Sequence, residues 1–226
     1  MATAATTEDR ATTFPLRRTE LRHVLSELQV GELERFCKGS SRKAGATVFR
    51  QDEPAEAWFL LVEGMVELRA RPPGRRAYRT VELIQPNCTF GDEALFGEEV
   101  YVASARVLEP ARVFTCTRSE FEKLIQTRPE IATGVLRVAG SCLIQTIRRS
   151  AILAQSPADV GLRVLLSELA ESAPGQNGRP RTIRITHAQL AGVLHVSRET
   201  VSRMLSELAE EGGIELGRGV IRVHPD

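Results

Sequence analysis

Between residues 18 and 38, Leu21, Val24, Leu25, Leu28, Leu33 and Phe36 recur at mixed three- and four-residue spacings. That pattern predicts one or two short amphipathic helices broken at Gly31. From Gly45 it gives way to short runs rich in β-branched and aromatic residues: Thr47 to Phe49, Trp58 to Val62, Met65 to Leu68, Tyr78 to Ile84, Ala103 to Leu108, and Val113 to Cys116. These runs predict strands. Glu63-Gly64, Pro72-Pro73-Gly74 and Gln85-Pro86-Asn87 read as turns short enough to join neighbouring strands into an antiparallel roll or barrel, not a parallel βαβ sheet. Residues 119–127 resume helical spacing. Residues 1–13, mostly Ala, Thr and charge, hold nothing to bury and read as a disordered tail, so the fold is expected to begin near Phe14.

A long helix is predicted from Pro129, a favourable first-turn residue, to about Gln155, before Ser156-Pro157 interrupts it. It carries two apolar stripes. Ile131, Val135, Val138 and Cys142 form one; Leu136, Gly140, Leu143, Ile147, Ser150 and Ala154 form the other, at alternating four and three. A helix apolar on two sides must be covered twice, and a single roll covers it once. The second stripe is therefore assigned to the identical helix of a partner subunit, with Gly140 permitting close approach; burial within one monomer is the alternative.

Beyond Asp159 a helix with Val160, Val164, Leu165, Leu166 and Leu169 ends before the turn-rich stretch Ser172 to Pro180, and Thr182 to Ile185 reads as a short strand. Thr186-His187-Ala188-Gln189 fits a capping box, so a short helix starts at Thr186 and buries Leu190, Val193 and Leu194. Ser197 caps a second helix whose core stripe is Val201, Met204, Leu205 and Leu208. Arg198, Glu199, Ser202 and Arg203 are left facing outward in its first two turns, the part of a recognition helix that enters the major groove. Each has a base edge to match: Arg forks onto guanine O6 and N7, Glu accepts from cytosine N4, and Ser reaches a base or a phosphate. A solvated face with an i,i+4 Glu199–Arg203 pair would show the same residues. The C-terminal residues favour the DNA reading, because Gly212-Gly213 ends the helix and the runs Ile214 to Leu216 and Val220 to Val223 bracket Gly217-Arg218-Gly219 as a hairpin wing. Arg218 at its tip could neutralise a phosphate.

Composition constrains this less than patterning does. The chain is 42% hydrophobic and 26% charged, ordinary for a globular protein of this length with two domains. No apolar run reaches the roughly 20 residues that span a bilayer, and no signal-peptide pattern opens the chain, so a cytoplasmic protein without a membrane partner is expected. A formal net charge of +1 neither supports nor excludes nucleic acid. Cys37, Cys88, Cys116 and Cys142 are far apart in sequence, with no C-x-x-C pair and no zinc-finger histidine spacing, and read as scattered reduced thiols. The four histidines, His23, His187, His195 and His224, have no nucleophile or carboxylate arranged with them, which argues against an enzyme.

The stretch from Gln189 through Val196-Ser197-Arg198-Glu199-Thr200-Val201-Ser202-Arg203 resembles the helix-turn-helix of the Crp/Fnr family of bacterial transcription regulators, and the likeness extends over nearly the whole chain. The resemblance implies an α+β architecture: a cyclic-nucleotide-binding-like antiparallel β-roll as sensor (14–128), a long dimerisation helix (129–155) and a winged helix-turn-helix DNA-binding domain (156–226). It implies a homodimer on double-stranded DNA, with RNA polymerase as a further partner. Glu199 and Arg203 would make the main base contacts, joined by Arg198 as in Crp-like members and Ser202 as in Fnr-like members, with Thr186 and Ser197 at the helix starts. Both signatures occur together, so a TGTGA-like and a TTGAT-like half-site stay open. His195 stands at the turn where glycine is usual, and tolerates the left-handed backbone better than most residues.

By the same resemblance, Phe90 to Phe96 with Tyr101 to Ala105 is similar to the family's phosphate-binding cassette, which makes Gly91, Asp92, Glu93, Tyr101, Val102, Ala103 and, from the long helix, Arg148 the candidate effector pocket; Ile144 and Arg149 stand with Arg148 where the helix would touch a base. Members that bind cyclic AMP place an Arg and a Ser or Thr where this chain has Tyr101 and Val102, and a Glu where it has Asp92. Losing a charge-assisted fork to a buried phosphate forfeits about 1.5–3 kcal/mol, which argues against cyclic AMP. An iron–sulfur cluster needs a cysteine cluster that the N-terminal region lacks. The cassette is also similar to that of the nitric-oxide-responsive, haem-dependent DNR-like subgroup, for which His23 is the available imidazole; a ligand-independent regulator, its pocket packed by Tyr101, is the other alternative. A module whose helix-turn-helix binds protein only is the remote one.

Overall fold

The computed structural model describes residues 25–74, 77–173 and 180–224. The expected N-terminal tail, the helical positions before Leu25, His23 and most of the 172–180 loop lie outside these residues. The first described helix, α1 (Glu27–Phe36), opens on a complete capping box between Ser26 and Gln29 and runs unbroken through Gly31. The expected break at Gly31 is therefore corrected: one glycine costs a helix about 1 kcal/mol, less than the cap and the buried Val30 and Leu33 return.

The β-roll is one six-stranded antiparallel sheet formed by β1 (Lys38–Arg42), β2 (Thr47–Phe49), β3 (Ala57–Ala70), β4 (Arg79–Ile84), β5 (Thr89–Phe90) and β6 (Ser104–Thr117), in the order β1-β6-β3-β4 with β2 on β6 and β5 on β3. Two expectations change here. Glu63-Gly64 does not turn the chain; β3 passes straight through it with register shifts on either side. Gly64 sits at φ 89°, and a Cβ there would lie 2.4 Å from the Pro110 carbonyl oxygen, so only glycine lets β3 and β6 cross with a bulge. For the same reason the two runs expected on either side of Pro110 form one long strand, β6, which begins at Ser104, with Pro110 at the bulge. Strand β1, polar and without apolar alternation, escapes the hydrophobic pattern altogether.

A one-turn helix α2 (Glu93–Phe96) lies in the cassette, and α3 (Arg118–Thr127) closes the roll with a Thr117–Glu120 capping box. Helix α4 (Pro129–Gln155) is continuous. Its first stripe packs on the roll: Ile131, Val135 and Val138 are buried with Trp58, Phe121 and Leu124. Its second stripe stands out to solvent, with Leu136, Leu143 and Ile147 39–58% exposed.

After Ser156-Pro157, α5 (Ala158–Ser172) begins the C-terminal domain, followed by β7 (Arg181–Ile183), α6 (His187–Val193), α7 (Arg198–Glu210), β8 (Ile214–Gly217) and β9 (Val220–Val223). In α5 Leu162 joins Leu165, Leu166 and Leu169 in the core, while Val160, expected inside, is 41% exposed. Strand β7 joins the wing hairpin in a three-stranded sheet, β7-β9-β8. The domain's core also takes in Met65 and Leu83 from the roll. Helix α6 lies directly on β4, where a Cβ on Gly192 would meet Thr80 at 2.8 Å. Arg149 of α4 forms ion pairs with Glu82 of β4 and Glu168 of α5, joining three elements at one guanidinium.

The cysteines are not scattered. Folding brings Cys37 beside Cys116 and Cys88 beside Cys142, and all four are free thiols. Sequence separation hides such pairs because antiparallel strands and a helix packed across them join positions many residues apart.

Candidate nucleic-acid interface and effector pocket

The helix-turn-helix is built by two N-caps and a left-handed turn. Thr186 Oγ1 accepts from the Gln189 N–H at 3.3 Å while Gln189 Oε1 accepts from the Thr186 N–H at 2.8 Å. His195 adopts φ 56°, bending the chain between α6 and α7 as expected. Ser197 Oγ then accepts from the Thr200 N–H at 3.0 Å. Val201, Met204, Leu205 and Leu208 are all buried beneath α7, which turns Arg198, Glu199 and Arg203 to solvent. The Glu199 carboxyl is held below the usual carboxylate range by its own backbone N–H and the Ser197 hydroxyl, so it stays an acceptor.

Ser202 departs from that exposed set. It is half-buried, its hydroxyl donates to the Arg198 carbonyl at 3.0 Å, and it lies 2.7 Å from His187 Nδ1. No periodicity links His187, at the first position of α6, to Ser202, because the two helices meet only in space; sequence reasoning misses the pair. The hydroxyls of Thr186 and Ser197 are taken up by capping, leaving both residues exposed at helix starts. Arg218 is exposed at the β8–β9 tip, where Gly219 takes φ 68°.

In the roll, the cassette residues meet, but not around a cavity. Tyr101 is buried with its ring stacked on Phe49 at 3.8 Å between centroids, its hydroxyl donating to the Ala57 carbonyl at 2.6 Å and accepting from the Ala57 N–H at 3.1 Å. Gly91, at φ 70°, has Phe49, Phe59 and the Ala57 carbonyl within 3.1–3.2 Å of where a Cβ would stand. The Val102 N–H donates to Glu93 Oε1 at 3.0 Å, so a carboxylate already takes up this backbone donor of the cassette. Asp92 is buried; Thr89 donates to its Oδ2 at 3.0 Å, whereas Oδ1 has no hydrogen-bond partner among the described residues. Burial pushes the Asp92 carboxyl up to about 6, against the Thr89 hydrogen bond. Ala103 is buried, Val102 and Arg148 are exposed, and Arg149 is held by its two carboxylates. A phosphate would meet two acidic groups here, Asp92 and Glu93, and the Arg149 guanidinium is already taken by its carboxylates, which disfavours the phosphate of a cyclic nucleotide.

Among the described residues no helix is long and apolar enough to cross a membrane. Two family matches cover most of the chain: the Cyclic nucleotide-binding domain at residues 40–128 and the Crp-like helix-turn-helix domain at residues 162–225. The chain is 30% identical over 185 residues to a "CRP-like cAMP-activated global transcriptional regulator" of Mycobacterium tuberculosis, spanning 78% of this chain and 80% of that protein. It is 30% identical over 179 residues to the "Cyclic AMP receptor protein" of Thermus thermophilus, spanning 79% and 80%. The c-di-GMP-responsive global regulator CLP of Xanthomonas campestris shares the fold at a TM-score of 0.70 and 16% identity, covering 88% of this chain and 99% of that one. With a roll, a long helix and a winged helix-turn-helix in the same order, the chain belongs to the Crp/Fnr family of transcription regulators, with a DNA-binding domain of the Crp type.

Proposed function

We propose that the chain works as a homodimer that reads a palindromic DNA site with α7 and recruits or contacts RNA polymerase there. The observation that carries this reading is the exposure of Arg198, Glu199 and Arg203 in the first two turns of α7, above a fully buried opposite face. Arg203 and Arg198 would fork onto guanines and Glu199 would accept from a cytosine N4, in a TGTGA- or TTGAT-like half-site. Ser202, tied to His187, would be a secondary contact. The exposed N-termini of α6 and α7, at Thr186 and Ser197, and Arg218 on the wing would hold phosphates. The solvent-facing stripe of α4 supports dimerisation, since Leu136, Leu143 and Ile147 recur at coiled-coil spacing and stay exposed among the described residues.

The sensor roll would not take cyclic AMP, despite the names of the two bacterial relatives; Tyr101 packed into the cassette and Glu93 on the Val102 N–H support a regulator active without that ligand. Titration of labelled palindromic DNA tests the main claim: Arg203→Ala should weaken binding about five- to 150-fold, one bidentate base contact being worth about 1–3 kcal/mol. An unchanged titration would favour a helix-turn-helix that binds protein instead. Micromolar cyclic AMP binding by calorimetry would overturn the sensor reading.

A further inference from the structure

A thiol pair lies where the β4–β5 loop meets α4, outside everything the DNA reading uses. Cys88 belongs to that loop, and Cys142 to the stripe of α4 that faces the roll; the two thiols are neighbours across this junction. The Cys142 thiol donates to the Asn87 carbonyl oxygen at 3.7 Å, and the backbone N–H of Thr89 points toward its sulfur. Gln145, one turn further along α4, sets its Oε1 3.9 Å from the Cys88 sulfur. Both cysteines are only partly buried. The two sulfurs thus share one junction, where the loop and α4 each supply the other's cysteine with a polar contact.

We propose that Cys88 and Cys142 form an oxidisable dithiol, with Cys142 the thiol that reacts with a hydroperoxide and Cys88 the thiol that resolves it to an intramolecular disulfide. In the first step the Cys142 thiolate attacks a peroxide oxygen. An S–O bond forms, the O–O bond breaks, and the hydroxide released takes up a proton to become water, leaving a sulfenic acid. In the second step Cys88 gives up its proton and attacks the Cys142 sulfur. The S–S bond forms, the S–O bond breaks, and hydroxide leaves as a second water, so two thiols and one hydrogen peroxide become one disulfide and two waters.

The surroundings assign the two roles. The neighbouring Cys88 side chain, followed by the Thr89 backbone N–H, holds the Cys142 thiol below its ordinary range although burial opposes them. Cys88, facing Cys142 and under burial, is pushed well up. A thiolate, not a thiol, is the nucleophile, so Cys142 reacts first. Cys37 and Cys116 are an internal contrast: both are fully buried, and the Cys37 thiol is driven up by its hydrogen bond to Cys116 and by desolvation. The 88–142 link would fasten the loop to the helix whose outer stripe is proposed to carry the second subunit.

The test uses the reduced full-length protein, treated with hydrogen peroxide, alkylated, and digested without reductant for mass spectrometry. The expected product joins the Cys88 and Cys142 peptides within one chain, lighter by two hydrogen atoms, while Cys37 and Cys116 carry alkyl groups. Cys88→Ser should leave a sulfenic acid on Cys142 that dimedone captures, and Cys142→Ser should lose both the disulfide and that adduct. Four alkylated cysteines after peroxide, a bridge between two chains, or a Cys37–Cys116 bridge would each overturn the proposal. The wild-type map decides between these outcomes even if a variant fails to fold.

Discussion

Replacing Asp92 by Asn tests whether the cassette is built around a buried carboxyl. In the folded chain burial raises this group from 3.8 to about 6, and its Oδ1 has no hydrogen-bond partner among the described residues. A raised acid binds its proton more tightly folded than unfolded. Its contribution to stability is therefore fully present below about 3.8 and is lost as the pH rises through about 6. At about 1.4 kcal/mol per pH unit, the full penalty approaches about 3 kcal/mol at alkaline pH, and about half of it accrues between pH 5 and pH 8. Asparagine mimics the neutral acid and keeps an oxygen for the Thr89 hydroxyl, so Asp92→Asn removes the titration without emptying the site. Urea unfolding read by the emission of Trp58, the single tryptophan of the chain and 1% exposed inside the roll, reports this region directly. The variant should gain stability relative to wild type by about 1.5 kcal/mol on going from pH 5 to pH 8. A difference that is flat across that range, or one that shrinks as the pH rises, would refute the idea that Asp92 is a desolvated, titrating carboxyl.

Arg149→Ala should destabilise the chain by about 1–3 kcal/mol, because it leaves Glu82, 14% exposed at its side chain, as an unpaired carboxylate; equilibrium unfolding compared with the Glu82→Gln/Arg149→Ala double variant checks this, since removing both charges should recover part of the loss. Leu143→Asp places a charge on the outward stripe of α4 and should convert a dimer to a monomer in sedimentation without lowering the stability of the roll, as Leu143 is 58% exposed within its own chain.

Local grammar was legible in the residues before any fold. The Thr186-x-x-Gln189 and Ser197 caps, the four-residue apolar stripe under α7, the Pro129 start of α4 and the wing glycines are short-range devices, each satisfied by backbone groups or faces a few residues away. Their physics does not need the rest of the chain, and the exposed Arg198, Glu199 and Arg203 follow from the helix period alone. Long-range decisions were another matter. Gly64 and Gly31 look alike in sequence, yet one is a bulge forced by the Pro110 carbonyl on a strand far along the chain and the other an ordinary helical residue. Strand β1 has no apolar alternation, and only its pairing with β6 makes it a strand. The filled cassette, the Ser202–His187 contact, the Arg149 junction and the two cysteine pairs all depend on elements distant in sequence being packed together. Periodicity encodes which side of an element is buried but not what it is buried against, so the amino-acid order determined which residues α7 exposes, whereas tertiary packing alone decided what surrounds the cassette in the roll.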